Sequence, residues 1–492
     1  MFGFMLACWC ISPAPGPQDS ATADSTPQDT SGQDTAPSDT SPQDTDPQNL
    51  DTGDTGDSGL EPLCSEEDTW SGQAILTQDS DKEAFALAFK DSEGCCVEGQ
   101  VIVFGEAGDT LDCLRSAPSV QYRDAQGSLE LPAFQRGAIE VTAVGDTSLK
   151  VDSWTEEASL TLDPQQGNIQ VYAGALEVLE VLHLGGGWGS ATSPNRLHAP
   201  LLTQVQSASF AAHFEPQDFA GVSRFDALTL MGDAAAQGIG MPAETLTLNG
   251  MREADLLPLC AQDIRSLTLD SMADPSQVPC VLELPLEHLT LSRTDLPVLI
   301  GPAEWLDGVI VEIYTPGESF RRFSVSDVAE MSIEIDQADT LYQVAFPDLE
   351  RGSVFMGTSH KNLVVSLPEM RNASTLQSNY GVFDAPKLTD VDTLYITGTL
   401  SDLGALQSAG NLSVRNHEDP GLEHLSSLRT VTGELAITWS PDVEELDALH
   451  GLESVGSLTL IQTGASEAEI QALVDAIGEA NIGETDFRDN GD

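Results

Sequence analysis

Basic side chains are scarce. The 492-residue chain has 20 Lys and Arg against 79 Asp and Glu, a formal net charge of −59, which excludes a nucleic-acid binder resting on cationic patches. Long apolar runs are missing too: none approaches the roughly 20 residues that span a bilayer, so no internal transmembrane helix is expected. Neither C-x-x-C nor a close His pair occurs, which leaves no ligand set for a structural zinc. The eight histidines, among them His183, His288 and His417, are scattered without H-E-x-x-H or H-x-H spacing. No G-x-S-x-G turn or phosphate-cradling glycine loop is present. Catalytic, cofactor and metal residues are therefore expected to be none.

What the chain does have begins with a tether. From Asp19 the acidic residues recur every five positions, at Asp24, Asp29, Asp34, Asp39 and Asp44, and then every three through Asp51, Asp54 and Asp57. Pro, Ser, Thr, Gly and self-repelling Asp cannot form a core, so residues 11–60 read as a solvated, extended spacer. Calcium binding by the Asp51–Asp57 run is disfavoured, because an EF-hand loop needs alternate acidic positions and a distal Glu, not a period of three. Ahead of the spacer, a short apolar stretch ends in Leu6-Ala7-Cys8. This resembles the end of a bacterial lipoprotein signal, in which a small residue precedes the cysteine that becomes lipid-modified, with Cys10 as the alternative acceptor. The resemblance implies lipidation at Cys8, attachment to a membrane through that lipid, and a place in the cell envelope, at the outer membrane or cell surface, with secretion as the alternative. A start assigned downstream of the true one would account for the absence of a basic n-region.

The body is repetitive. Two apolar residues flank one other residue at Leu228-Thr-Leu230, Leu246-Thr-Leu248, Leu267-Thr-Leu269, Leu289-Thr-Leu291, Val311-Glu-Ile313, Ile333-Glu-Ile335, Val354-Phe-Met356, Leu394-Tyr-Ile396, Leu412-Ser-Val414, Leu435-Ala-Ile437 and Leu458-Thr-Leu460. The intervals run from 18 to 23 residues except for one of 40, which holds a further strand near Leu376. One coil could not bury its own apolar residues, whereas a stack of such coils with paired strands could. Upstream, similar strands recur about every ten residues, at Leu129, Ile139, Leu149, Leu160, Ile169 and Leu179. Coils with strands on two faces are favoured there over an antiparallel meander, which has the same spacing. The glycine-rich stretch 185–200 reads as a loop insertion or junction.

Several units match L-x-x-L-x-L, as in Leu286-Glu-His-Leu289-Thr-Leu291. Near the C-terminus they become Val431-Thr-Gly433-Glu-Leu435-Ala-Ile437 and Val455-Gly456-Ser-Leu458-Thr-Leu460, joined by Leu446-Asp-Ala-Leu449-His-Gly451-Leu452. This pattern is similar to the receptor L-domain, a leucine-rich module of receptor ectodomains and bacterial envelope proteins. The resemblance is carried best by residues 384–492 and implies a mainly β, right-handed parallel β-solenoid. Ser466-Glu-Ala-Glu469 is a capping box, followed by Ile470, Leu473, Val474 and Ile477 at helical spacing, so a short helix is expected to close the last coil. The expected organisation is a signal remnant over 1–10, tether over 11–60, cysteine-containing cap over 61–118, first solenoid segment over 119–200, regular solenoid over 201–464, and helix with acidic tail over 465–492.

Six cysteines lie beyond Cys8 and Cys10, an even number in a chain that reads as exported. Cys260 and Cys280 are one coil apart and form one candidate pair. Cys64, Cys95, Cys96 and Cys113 are expected to make two bridges in the cap, with vicinal Cys95 and Cys96 taking different partners. Residues 384–492 alone carry 21 acidic and 4 basic side chains, so the body as well as the tether is anionic. Solubility in salt is the favoured reason, over a face for cations or a basic partner. Together these features lead to a tethered, non-catalytic recognition or scaffold protein whose ligand is a protein or a glycan and not a nucleic acid. The alternative is a β-helix polysaccharide lyase or hydrolase. Chance carboxylate pairs are plentiful for it, but the basic residues that neutralise uronates are few.

Overall fold

A computed structural model describes residues 63–90, 92, 94–105, 111–185, 194–251, 257–271, 284–293, 299–302, 307–314, 322–337, 341–357, 363–379, 382–399 and 402–491. Cys8, the tether and Cys280 lie outside the described residues, and so does the proposed Cys260–Cys280 pairing.

The body is a parallel β-solenoid built on one 24-stranded sheet, with a second sheet of five strands. The L-x-L units are its rungs. Leu228, Leu246, Leu267, Leu289, Val311, Ile333, Val354, Leu376, Leu394, Leu412, Leu435 and Leu458 stand opposite one another in unbroken parallel register. None of these twelve is more than 4 % exposed. Alternation along a strand turns both apolar residues of each unit inward and the middle residue outward, and each fully buried Leu contributes roughly 1.5–3 kcal/mol. The strand expected near Leu376 is Asn372–Asn379. Upstream, the coils carry strands on two faces: the 127–130, 147–150, 169–172 and 196–198 segments pair in parallel on one face while 119–123, 138–142, 159–162 and 181–184 pair on the other. The ten-residue spacing is thus half a coil. Arg196–His198 pairs with Ile169–Tyr172 and Gln204–Phe210 with Val178–Leu184, so the coil order carries across the glycine-rich stretch.

The five-stranded sheet, Leu299–Pro302, Arg322–Ser326, Gln343–Ala345, Val364–Ser366 and Val382–Asp384, is the second face of the later coils. At the N-terminal end helix α1, Asp79–Ala88, has a capping box at Gln78 and Asp81. It packs Phe85 against Trp70 and Phe89, with ring centroids 5.6 and 5.2 Å away. Cys64 is bonded to Cys96 and Cys95 to Cys113, with Cα atoms 5.9 and 5.2 Å apart. Parallel pairing of Cys95 with Leu114 sets Cys113 beside Cys95 in the next coil.

Helix α2, Glu467–Ile477, forms where the capping box places it. The Ser466 side chain accepts the Glu469 N–H, and Ile470, Leu473 and Ile477 are buried. The helix does not end the ladder, however: Ile482–Arg488 follows as a further parallel strand against Ser454–Thr463.

Seven of the scarce basic residues clamp neighbouring coils. Arg136–Glu156, Arg196–Asp218, Arg224–Glu244, Arg265–Glu287, Arg293–Asp270, Arg351–Glu330 and Lys387–Glu369 each join residues 18 to 23 positions apart. The exposed ones, such as Arg265–Glu287 and Arg351–Glu330, contribute at most about 1 kcal/mol each.

Candidate functional site

The outward face of the long sheet is where function can reside, because the inward face is filled with aliphatic side chains. Its middle positions run Thr229, Thr247, Thr268, Thr290, Glu312, Glu334, Phe355, Gln377 and Tyr395 in register. Thr290 donates its hydroxyl to a Glu312 carboxylate oxygen at 3.0 Å. Partial burial, then the charges of Glu312 and Asp336, raise the Glu334 carboxyl above its ordinary range, against a lowering hydrogen bond from Tyr314. Burial and the same acidic neighbours raise the Tyr314 phenol. This patch is acidic and self-repelling, and among the described residues no group of three or more His, Cys, Asp and Glu is arranged to hold a metal ion.

The built concavity lies at the starts of these strands. In most coils two residues separate the last inward position of the return path from the first inward strand residue, as in Leu286-Glu-His-Leu289 and Ala373-Ser-Thr-Leu376. Only one does in the upstream coils at Gly137-Ala-Ile139 and Ala158-Ser-Leu160, and again in three successive later coils: Val309-Ile-Val311, Met331-Ser-Ile333 and Gly352-Ser-Val354. Where this spacing changes from one residue to two, the ladder slips, between Gly352 and Ser353. The step leaves a polar groove of about 380 Å³, its floor at Met331, Gly352 and Ala373, its walls carrying Glu330, Ser332, Arg351, Asn372, Asp390 and Asp392. Gly352 is required there. Its φ is +139°, and a Cβ would stand 1.8 Å from the Met331 carbonyl oxygen.

The groove's charges are of both signs. Arg351 reaches Glu330 at 3.0 Å across its wall. The Asp390 carboxyl is held below its ordinary value by hydrogen bonds from Ser408 and Thr389, so it is an anion at neutral pH. The Asn372 amide and the Asp392 carboxylate make no side-chain hydrogen bond among the described residues. The groove thus offers a guanidinium, an amide, hydroxyls and carboxylates to a polar ligand, and no nucleophile paired with a base.

No family model, curated protein or solved structure matches the chain. The site therefore has to be read from its own chemistry. Thr268 and Thr290 lie on the outward face, away from the groove. His183 and His288 also sit on outward strand positions. His417 is buried instead, its Nδ1 and Nε2 each 3.1 Å from a carbonyl oxygen, of Gly398 and Gly421. None of the three lines the groove. Sequence reasoning named no groove residue.

Proposed function

We propose that the protein is a surface-tethered, non-catalytic recognition protein that presents the outward face of its solenoid, and the groove at Gly352 in particular, to a macromolecular partner. The observation that carries this reading is the groove itself, which lies at the register slip between Gly352 and Ser353 and is lined with polar groups of both signs. Parallel solenoids characteristically use extended repeat surfaces for binding. The V-x-G-x-L-x-I units support a receptor L-domain-like module, and Leu6-Ala7-Cys8 followed by an acidic spacer supports a lipid anchor at Cys8. One acyl chain gives only reversible membrane attachment, which a second chain or contact would reinforce.

Glycan-array and pull-down screens of the full chain test the recognition reading. Stable retention of a partner is expected, and glycan turnover without retention would transfer the function to the enzyme class. Labelled-palmitate incorporation in a bacterial host tests the anchor, with Cys8→Ala expected to lose the label; equal labelling of both chains would remove it from the account.

A further inference from the structure

Most described rungs of the long sheet from Arg224–Met231 onward end in a corner where one residue takes a positive-φ backbone conformation. In the last coils these residues are Gly398, Asn416, Trp439, Gln462 and Asp489, with φ of 107°, 51°, 56°, 55° and 54°, and they follow the mutually paired Thr397, Arg415, Thr438, Ile461 and Arg488. Glycine, Asn and Asp tolerate this conformation best, although Ser271, Arg293, Gln337 and Gln462 also take it at their corners. Trp439 is the aromatic residue among the corners, and at 53 % exposed it is not a core residue. The corner is held from behind by a buried polar stack. Ser440 accepts the His417 backbone N–H at 3.0 Å and donates to the Thr438 carbonyl at 3.0 Å, and Asn490 accepts the Thr463 backbone N–H at 3.0 Å. A corner fixed this firmly holds the indole out to solvent rather than in the core.

Arg415 completes it. Where seven basic residues of the body clamp a carboxylate on a neighbouring coil, the Arg415 guanidinium lies 5.0 Å from the Trp439 ring centroid and makes no side-chain hydrogen bond or ion pair among the described residues. One face of the indole is thereby taken by a cation, which repels a second cation. The surrounding coils, with 21 acidic against 4 basic residues over 384–492, repel polyanions. What the remaining indole surface accepts is a neutral ligand with an apolar C–H face and hydroxyls at its edge, for which Asn416, Gln462 and Arg415 supply hydrogen-bonding partners.

We propose that Trp439, flanked by Arg415, Asn416 and Gln462, is a stacking platform for a pyranose ring of a neutral glycan. The site is separate from the groove, two rungs further along the ladder and at the opposite ends of the strands. It is tested by native gel electrophoresis of the full chain through gels cast with soluble neutral polysaccharides of glucose, xylose and mannose, and in parallel with polygalacturonate. Retardation in at least one neutral gel is expected. Trp439→Asn should weaken it about tenfold or more, the scale of losing one aromatic anchor, and Arg415→Ala should weaken it less. Asn suits the corner, as Asn416 shows, so relieved backbone strain offsets lost ring contact and the melting midpoint should change little. Retardation in no neutral gel, in polygalacturonate alone, or equally for Trp439→Asn overturns the proposal, as does a collapse of the midpoint in that variant. Loss of retardation with Asn372→Ala but not with Trp439→Asn also overturns it while leaving the groove reading intact. Capture of a protein through Trp439 in place of a glycan overturns it as well.

Discussion

Gly352→Ala isolates the contact that shapes the groove. The methyl group would stand 1.8 Å from the Met331 carbonyl oxygen and 2.8 Å from its carbonyl carbon, so no side-chain rotation can relieve it and the coil backbone has to move. Backbone strain for a residue with a side chain at this φ costs about 1–3 kcal/mol, and overpacking adds about 1–3 kcal/mol. Together they give a destabilisation of about 4 kcal/mol, a large share of the ~5–15 kcal/mol that holds a typical fold. Gly250→Ala is the internal control. Its φ is +67° with nothing within 4 Å of a Cβ, so only the left-handed backbone cost applies, about 1–2 kcal/mol. Because coil stability is a sum of nearest-neighbour terms, the Gly352 effect should be strongest between the rungs Glu330–Asp336 and Arg351–Met356. Urea unfolding followed by circular dichroism measures both variants, and amide hydrogen exchange locates the loss. Equal destabilisation by the two substitutions would refute the close-approach argument.

Leu267→Asp should disrupt the stack, because Leu267 is fully buried and an unpaired buried carboxylate costs several kcal/mol; Thr268→Val, on the outward face, should shift the urea midpoint little. Reducing the Cys64–Cys96 and Cys95–Cys113 bridges, which close 32 and 18 residues, should remove about 3 kcal/mol each by the loop-entropy relation, and melts with and without reductant measure it. Glu334→Gln should stabilise the fold at about pH 7 and have no such effect below about pH 4, near the ordinary glutamate value. Its carboxyl is raised by burial and acidic neighbours, so ionisation destabilises the folded state: the penalty is absent below the unfolded-state value and complete above the folded-state one. Urea midpoints of both chains across that range would expose the opposite sign.

The ladder was legible because two independent periods coincide in it. Leu267-Thr-Leu269 and its partners alternate every second residue, and the units recur at coil spacing, so inward residues and neighbouring strands are fixed together. Helix α2 was legible for a local reason, the Ser466 cap ahead of Ile470, Leu473 and Ile477. The final strand was not. Ile482-Gly-Glu-Thr-Asp-Phe-Arg488 has Thr485 at the position Leu458 holds, so its apolar signal is too weak to extend the repeat. The second sheet was equally hidden, because strands as short as Gln343–Ala345 leave no periodicity of their own. The cap disulfides required the register of Cys95 against Leu114, which spacing does not supply. The groove lies where the strand register slips between Gly352 and Ser353, invisible when only the L-x-L residues are counted. The Trp439 corner depends on a backbone conformation that no composition reports, since Trp is among the residues least expected there.

The recognition account is tested most directly by reading one glycan and surface-protein array with the wild-type chain and with the Asn372→Ala/Asp392→Ala chain side by side. Both side chains line the groove and are exposed, so the double variant should keep its melting midpoint. The account predicts ligands retained by the wild type and lost by the variant. Identical retention patterns, or release of cleaved product from the array, would contradict it.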